Sequence, residues 1–347
     1  MTDTTAAWIN RHAHPLTTLD PGGPLPDLRP LRDIVRDASI VALGASTRQA
    51  HELSVSAHRM ARFLVEELGF RSLALEGDDP ARVGLDDYVR TGKGDPRASL
   101  ADARAFWRTG EILDLVHWMR AYNEDHPDDP VRFAGVRPQA EPAVGMTAIE
   151  RRMAEDTIWW HERTGDKIVY WGGLAHTSIS TGLQRLGQPS SPQVSQGSGQ
   201  PSSPQISQGS GAPSSPQVSQ GSGSPSSPEA AAYRNVGGYL RERFGTGYLS
   251  IGLTFGHGTL PFEVPTPPAD FAETALSAAG LDAFLLDLRV EGPAAVRAWL
   301  DTPARTRLIG PRYDPADDAA YHLSGGSFGG WFDAVVHHER VTPVREP

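Results

Sequence analysis

The chain has 347 residues, 39% of them apolar, a formal net charge of -10 and no cysteine. That length and apolar content are enough to bury a large core. The acidic balance and the lack of any lysine/arginine cluster argue against a nucleic-acid partner, and the missing thiols exclude disulfide frameworks, thiolate zinc sites and cysteine nucleophiles.

The N-terminal stretch MTDTTAAWINRHAHPLTTLD has no basic start followed by a long apolar run, and no later segment reaches membrane-spanning length. The expectation is a cytoplasmic protein with no membrane partner. Lysine occurs only at Lys93 and Lys167 while arginine, alanine, proline and glycine abound, the composition of a GC-rich genome such as an actinobacterium's.

Strand and helix then alternate. Short apolar runs at 39–43, 71–76, 131–135, 167–171, 247–252 and 283–287, each punctuated by Gly, Asp or Pro, read as buried parallel strands. Between them, Leu53, Ala57, Met60 and Leu64 mark one helical apolar face, and Ile112, Leu113, Val116 and Met119 mark another. The stretch 98–164 holds two long helices around one short strand and reads as a helical subdomain. From 189 to 228 the unit PSSPQVSQGSGQ repeats with little change. Each unit has one Val or Ile and no charge, too little to offset the entropy of ordering it, so it reads as a disordered insertion in a single domain spanning 1–347. The fold class expected is α/β, a mostly parallel sheet with helices on both faces plus the helical subdomain.

In such sheets ligands bind beyond the carboxyl ends of the strands. The first strand delivers Ser46, Thr47, Arg48, His51 and Glu52 there, the second Glu76, the third Arg137, the fourth His176 and the fifth His257. Taken alone, Ser46 or Thr47 with Gln49 or Glu52 is better read as a capping box than as catalysis. Glu76 fits a simple strand-end carboxylate as well as a catalytic one. The glycines before His176 permit a close backbone approach, while a lone histidine is more often structural. His337, His338 and Glu339 alternate along a late strand and cannot supply three metal ligands from one side.

These motifs resemble the erythromycin esterase family. VALGASTRQAHE, FLVEELGFRSLALEGDDP, GLDDYVRTGKGDP, EILDLVHWMRAYNEDHP, VRFAGVRPQ, RRMAEDTIWWHERTGDKIVYWGGLAHTS, YLRERFGTGYLSIGLTFGHG and WFDAVVHHERVTPVR follow its order and spacing. The resemblance implies an erythromycin-esterase-like fold and hydrolysis by a histidine base that activates water, supported by acidic and arginine residues. The family's first block has glutamate and histidine where this chain has Ala45 and Arg48, and an arginine of the following helix is replaced by Ala57. Its third block has an aspartate where this chain reads GVRPQ with Arg137, and its fourth, tryptophan, alanine, histidine, asparagine, alanine, histidine, is here Trp171, Gly172, Gly173, Leu174, Ala175 and His176. Of the polar site, Glu76 and His176 transfer directly.

A guanidinium stays protonated above about pH 12, so Arg48 cannot be a general base. Losing a positioned base typically costs on the order of a hundred- to ten-thousand-fold, so erythromycin hydrolysis itself is not expected. Counting the replaced carboxylates and added arginines shifts the cleft by roughly four charges towards positive, suited to a carboxylate, enolate or oxyanion.

The leading expectation is acid–base chemistry on a small secondary metabolite in natural-product tailoring: ring closure by a cyclase, loss of water, or ester or lactone cleavage. Glu76 and His176 exchange the proton, Arg48 and Arg137 hold negative charge, Ser46, His51 and His257 are secondary binding candidates, and no cofactor or metal is called for. The alternative is an inactive family member that binds an anionic small molecule for sensing, sequestration or transport. A third is a metal-dependent hydrolase using His51, Glu76 and His176.

Overall fold

The computed structural model describes residues 2–77, 80, 83–138, 143–179, 185–186, 234–310 and 312–347. The repeat at 189–228 lies outside the described residues. The strands in chain order are β1 (His14–Pro15), β2 (Ile40–Ala45), β3 (Phe70–Leu75), β4 (Arg132–Phe133), β5 (Lys167–Gly173), β6 (Arg185–Leu186), β7 (Tyr248–Thr259), β8 (Glu263–Val264), β9 (Ala283–Asp287), β10 (Thr306–Arg307), β11 (His322–Ser324) and β12 (Ala334–Val341).

The main sheet runs β1-β9-β12-β7-β2-β5-β3-β4, with β8 hairpinned onto β7. From β12 to β4 all neighbours are parallel. The apolar run at 283–287 was read as parallel, but β9 pairs antiparallel with both β12 and β1. A continuous apolar run reports burial on both faces and carries no information about direction. A small antiparallel sheet, β10-β11-β6, lies apart.

Alternation along the strands divides the core. Val41 and Leu43 of β2, with Val169 and Trp171 of β5, face Leu53, Ala57, Met60 and Leu64 of the helix His51–Leu68, and Ile112, Val116 and Met119 of the helix Gly110–Asp125. Ile40 and Ala42, with Ile168 and Tyr170, face Ala154 of the helix Met146–Thr164 and Leu240 of the helix Val236–Phe244. Successive strand side chains point to opposite faces, so two helical layers are required. At the end of the 51–68 helix Gly69 takes φ 73°, a left-handed turn that a Cβ would strain, and its N–H caps Leu64 O. Among the described residues no helix is long and apolar enough to cross a membrane.

Candidate active site

Three neighbouring strands, β2, β5 and β3, end on the same rim, and the chain just past each of them supplies one polar group. After β3, Glu76 continues the ladder by donating its N–H to Trp171 O at 3.0 Å. After β5, Gly173 leads into the helical turn Leu174–Thr177 that carries His176. After β2, the segment 46–50 carries Arg48. The capping box expected there does not form. The helix starts at His51 behind Ala50 with no side-chain cap, and Glu52 instead accepts from the Thr342 N–H and hydroxyl, both at 2.7 Å. Arg48 is thereby left to turn inward.

It turns onto Glu76. An Arg48 Nη2 hydrogen bond and the Gly173 N–H at 2.7 Å both reach Glu76 Oε2. The guanidinium carbon lies 4.1 Å from the centre of the Phe106 ring and 4.6 Å from that of Trp107, so the cation is held from its face as well. With Oε2 occupied, Oε1 sits 3.4 Å from His176 Nε2. A Cβ on Gly172 would come within 2.7 Å of Glu76 Oε2, so the glycine leaves room for the carboxylate in this position.

The other side of the imidazole is held by a residue the sequence analysis missed. His176 Nδ1 lies 2.6 Å from Oε1 of Glu150, whose side chain is fully buried and whose Oε2 accepts from the Val236 N–H at 2.9 Å. Glu150 stands at i, with buried Ala154 and Thr157 at i+4 and i+7 of the 146–164 helix. A carboxylate on an inward helical stripe was the available signal, since charges are almost never fully buried unless paired. Burial opposes a charge on His176, but the negative charge of Glu76 and the hydrogen bond and charge of Glu150 outweigh it, and the pKa is raised.

Glu76 and His176 lie at the floor of a cavity of about 670 Å³, with Tyr170 beside them. Phe106, Val136 and Met153 give it apolar walls, and Arg104, Arg152 and Asp156 are its charged residues besides.

The remaining candidates are placed elsewhere. Arg137 does not face the floor: its Nε and Nη2 bond Asp156 and Glu155, each at 2.8 Å. Arg48 and Arg137 are thus both neutralised by carboxylates, and the positive cleft obtained by counting charges is not found; the partners came from other parts of the chain. Ser46 is fully buried, with its N–H on Leu253 O and its carbonyl taken by Ile309 N–H. His257 pairs with Glu339 at 3.4 Å, which also lies 3.6 Å from His337.

His51 is held by buried Glu111, its Nδ1 at 2.6 Å from Oε1, and Arg345 reaches the same carboxylate. The trio His51, Glu76 and His176 is therefore not one cluster, and among the described residues no group of three or more His, Asp or Glu side chains is arranged to hold a metal ion.

Comparison with known proteins gives this arrangement its context. The erythromycin esterase family model matches residues 65–149 and 137–341, leaving out the block that carries Ala45 and Arg48. A putative hydrolase of Bacillus subtilis, YbfO, is 31% identical over 129 residues, and an erythromycin esterase type II of Escherichia coli is 26% identical over 129 residues. Each alignment covers 37% of this chain and 28% or 30% of the relative, so the chain spans under a third of their length.

Among solved structures, a Bacillus cereus protein superposes with a TM-score of 0.75 at 20% identity, covering 100% of this chain and 99% of its own. A succinoglycan biosynthesis protein gives 0.75 at 18%, with coverage of 100% and 99%. An erythromycin esterase mutant in its open conformation gives 0.58 at 10%, covering 94% of this chain and 96% of its own. At such identities the likeness is one of fold. The family match itself extends over most of the sequence, and the chain belongs to the erythromycin esterase family.

Proposed function

We propose that the protein is a hydrolase-like enzyme that cleaves an ester or lactone of a small molecule, with His176 moving the proton. The carrying observation is that Glu150 holds His176 Nδ1 at 2.6 Å and leaves Nε2 on the cavity side, 3.4 Å from Glu76. A carboxylate accepting the Nδ1 proton selects the tautomer whose Nε2 lone pair is open, as a general base requires.

Nε2 takes a proton from water as the oxygen attacks the carbonyl carbon. The tetrahedral intermediate then collapses, and the same proton passes from Nε2 to the departing alkoxide oxygen. Glu76 Oε1 accepts a hydrogen bond from the water's other O–H, which stays on the attacking oxygen, and stabilises the imidazolium. Arg48 and the Gly173 N–H fix Oε2, so that Oε1 is the oxygen presented. The family resemblance implies a histidine in the first block where this chain has Arg48; here Arg48 serves to position Glu76, and the proton passes to His176 across the cleft.

The raised pKa of His176 favours a second reading within the same chemistry, because carboxylates that favour the protonated ring suit a general acid, which donates a proton to a leaving hydroxyl in loss of water or ring closure. The anion-binding alternative would have to draw on arginines that already have carboxylate partners, Glu76 for Arg48 and Glu155 and Asp156 for Arg137.

The test incubates purified protein with a panel of esters, lactones and hydroxy acids and reads mass. Gain of one water, abolished by His176→Asn, supports the hydrolase reading. Loss of one water supports the second. Binding without any mass change contradicts both.

A further inference from the structure

Apolar side chains left in water are informative when they gather in one place. Among the described residues four large hydrophobics are exposed; two of them, Met146 at 52% and Ile149 at 37%, line the cavity, and a third, Val144 at 86%, follows the lining residue Ala143 in the chain. Met146, Ile149 and Met153 lie at i, i+3 and i+7 of the 146–164 helix, on one face, and all three line the cavity. Met153 is at the deep end, its sulfur 3.8 Å from the Tyr170 hydroxyl, so the stripe runs from the floor to the rim. Seven residues of helix make a strip about 10 Å long. Two of the five methionines in the chain stand on it, and unbranched thioethers adapt to apolar shapes of varied outline. Arg152 and Asp156 of the same helix also line the cavity, so charged groups stand beside the apolar face.

We propose that the substrate is amphipathic, with its reacting carbonyl at Glu76 and His176 and a flexible apolar acyl chain laid along Met153, Ile149 and Met146 towards Val144. This rests on the hydrolase reading for the position of the carbonyl. The chain itself is read from the helix face. The occupant is a chain because the strip is long, one helix wide and continuous with the floor of the cavity.

The experiment has two arms on the full chain. Isothermal titration with alkyl methyl ketones of increasing length, uncleavable mimics of the ester, is expected to show affinity rising about two- to fourfold per methylene until the strip is covered. In the Met146→Gln/Ile149→Gln double variant, whose positions are exposed and tolerate polarity, the dependence on length flattens. The second arm measures hydrolysis of acetyl, butyryl and octanoyl p-nitrophenyl esters.

Ketone affinity that ignores chain length, or a slope unchanged in the double variant, overturns the proposal, even if the esters are cleaved. Steep ketone binding with no ester cleaved overturns the hydrolase reading and leaves the acyl strip standing. A double variant that changes the oligomeric state with no effect on ketone slope assigns the patch to a second copy of the chain and also overturns the proposal.

Discussion

His176 and His51 begin alike. Each follows a parallel strand at the carboxyl edge of the sheet, and each has Nδ1 2.6 Å from a buried glutamate, Glu150 or Glu111. Both pKa values are raised, that of His51 by its hydrogen bond to Glu111 and that of His176 by Glu76 and Glu150 against the opposing cost of burial. They differ in what lies beyond the ring. His176 Nε2 meets a second carboxylate at the floor of a cavity, whereas Glu111 also serves Arg345 and His51 does not line that cavity. A carboxylate-held imidazole is therefore a common structural device, and it becomes a candidate for proton transfer only where the second nitrogen opens on enclosed space.

The largest effects should come from the groups that set His176 apart. Glu76→Gln and His176→Asn should each lower kcat/KM by about a hundredfold or more, the usual range for a positioned acid–base group. The fold should survive, as read by an unchanged far-UV spectrum. Full activity in either variant would remove the distinction between the two histidines.

Glu150→Gln is expected to cost at least about tenfold in kcat, since even the carboxylates behind metal-bound histidines contribute about tenfold to a hundredfold and one behind a general-base histidine contributes more. It should also move the rising limb of the pH profile. The carboxylate raises the His176 pKa, so its removal lowers that pKa, and a base limb shifts to lower pH. A merely structural glutamate would lower activity without moving the limb.

A contrasting pair sharpens the point through stability. Burial pushes the pKa of His58 and of His338 down to about 3. The unfolded imidazoles take up protons below about pH 6.5 and the folded ones do not until about pH 3, so stability falls as pH drops through that window. Neither nitrogen of His58 has a hydrogen-bond partner among the described residues, whereas His338 Nε2 bonds Ser56 at 2.8 Å. His58→Leu should therefore raise stability at pH 5 relative to wild type by about 1 kcal/mol or more, read from urea midpoints. A loss at pH 5 would mean that the ring's packing against Trp118 outweighs its desolvation.

The smallest effect on catalysis is expected at the other member of the first pair: His51→Asn should change kcat/KM by less than about twofold, because its ring is held by Glu111 and does not line the cavity. A large loss would place His51 in the reaction after all.

Much of the fold was legible in the sequence because strand burial and helix amphipathicity are local patterns. The runs that became β2, β3, β5, β7 and β9 and the apolar faces of the 51–68 and 110–125 helices are visible as spacing alone. The direction of β9 was not, because it depends on its neighbours. In the site, Glu76 and His176 were legible from strand ends and from the family resemblance. The charge of the cleft was misread because ion pairing is non-local. Arg48 and Glu76 are 28 residues apart, Arg137 and Asp156 are 19, and the Glu150 that orients His176 comes 26 residues before it, on a helix that the sequence marks only as part of the helical stretch 98–164.

The most direct test of the central claim is a nitrogen-15 NMR titration of the His176 ring, assigned by its disappearance in His176→Asn. The account predicts Nδ1 protonated throughout, a midpoint above about 6.5, and a lower midpoint in Glu150→Gln. A midpoint at or below that value, or one indifferent to Glu150→Gln, would contradict it.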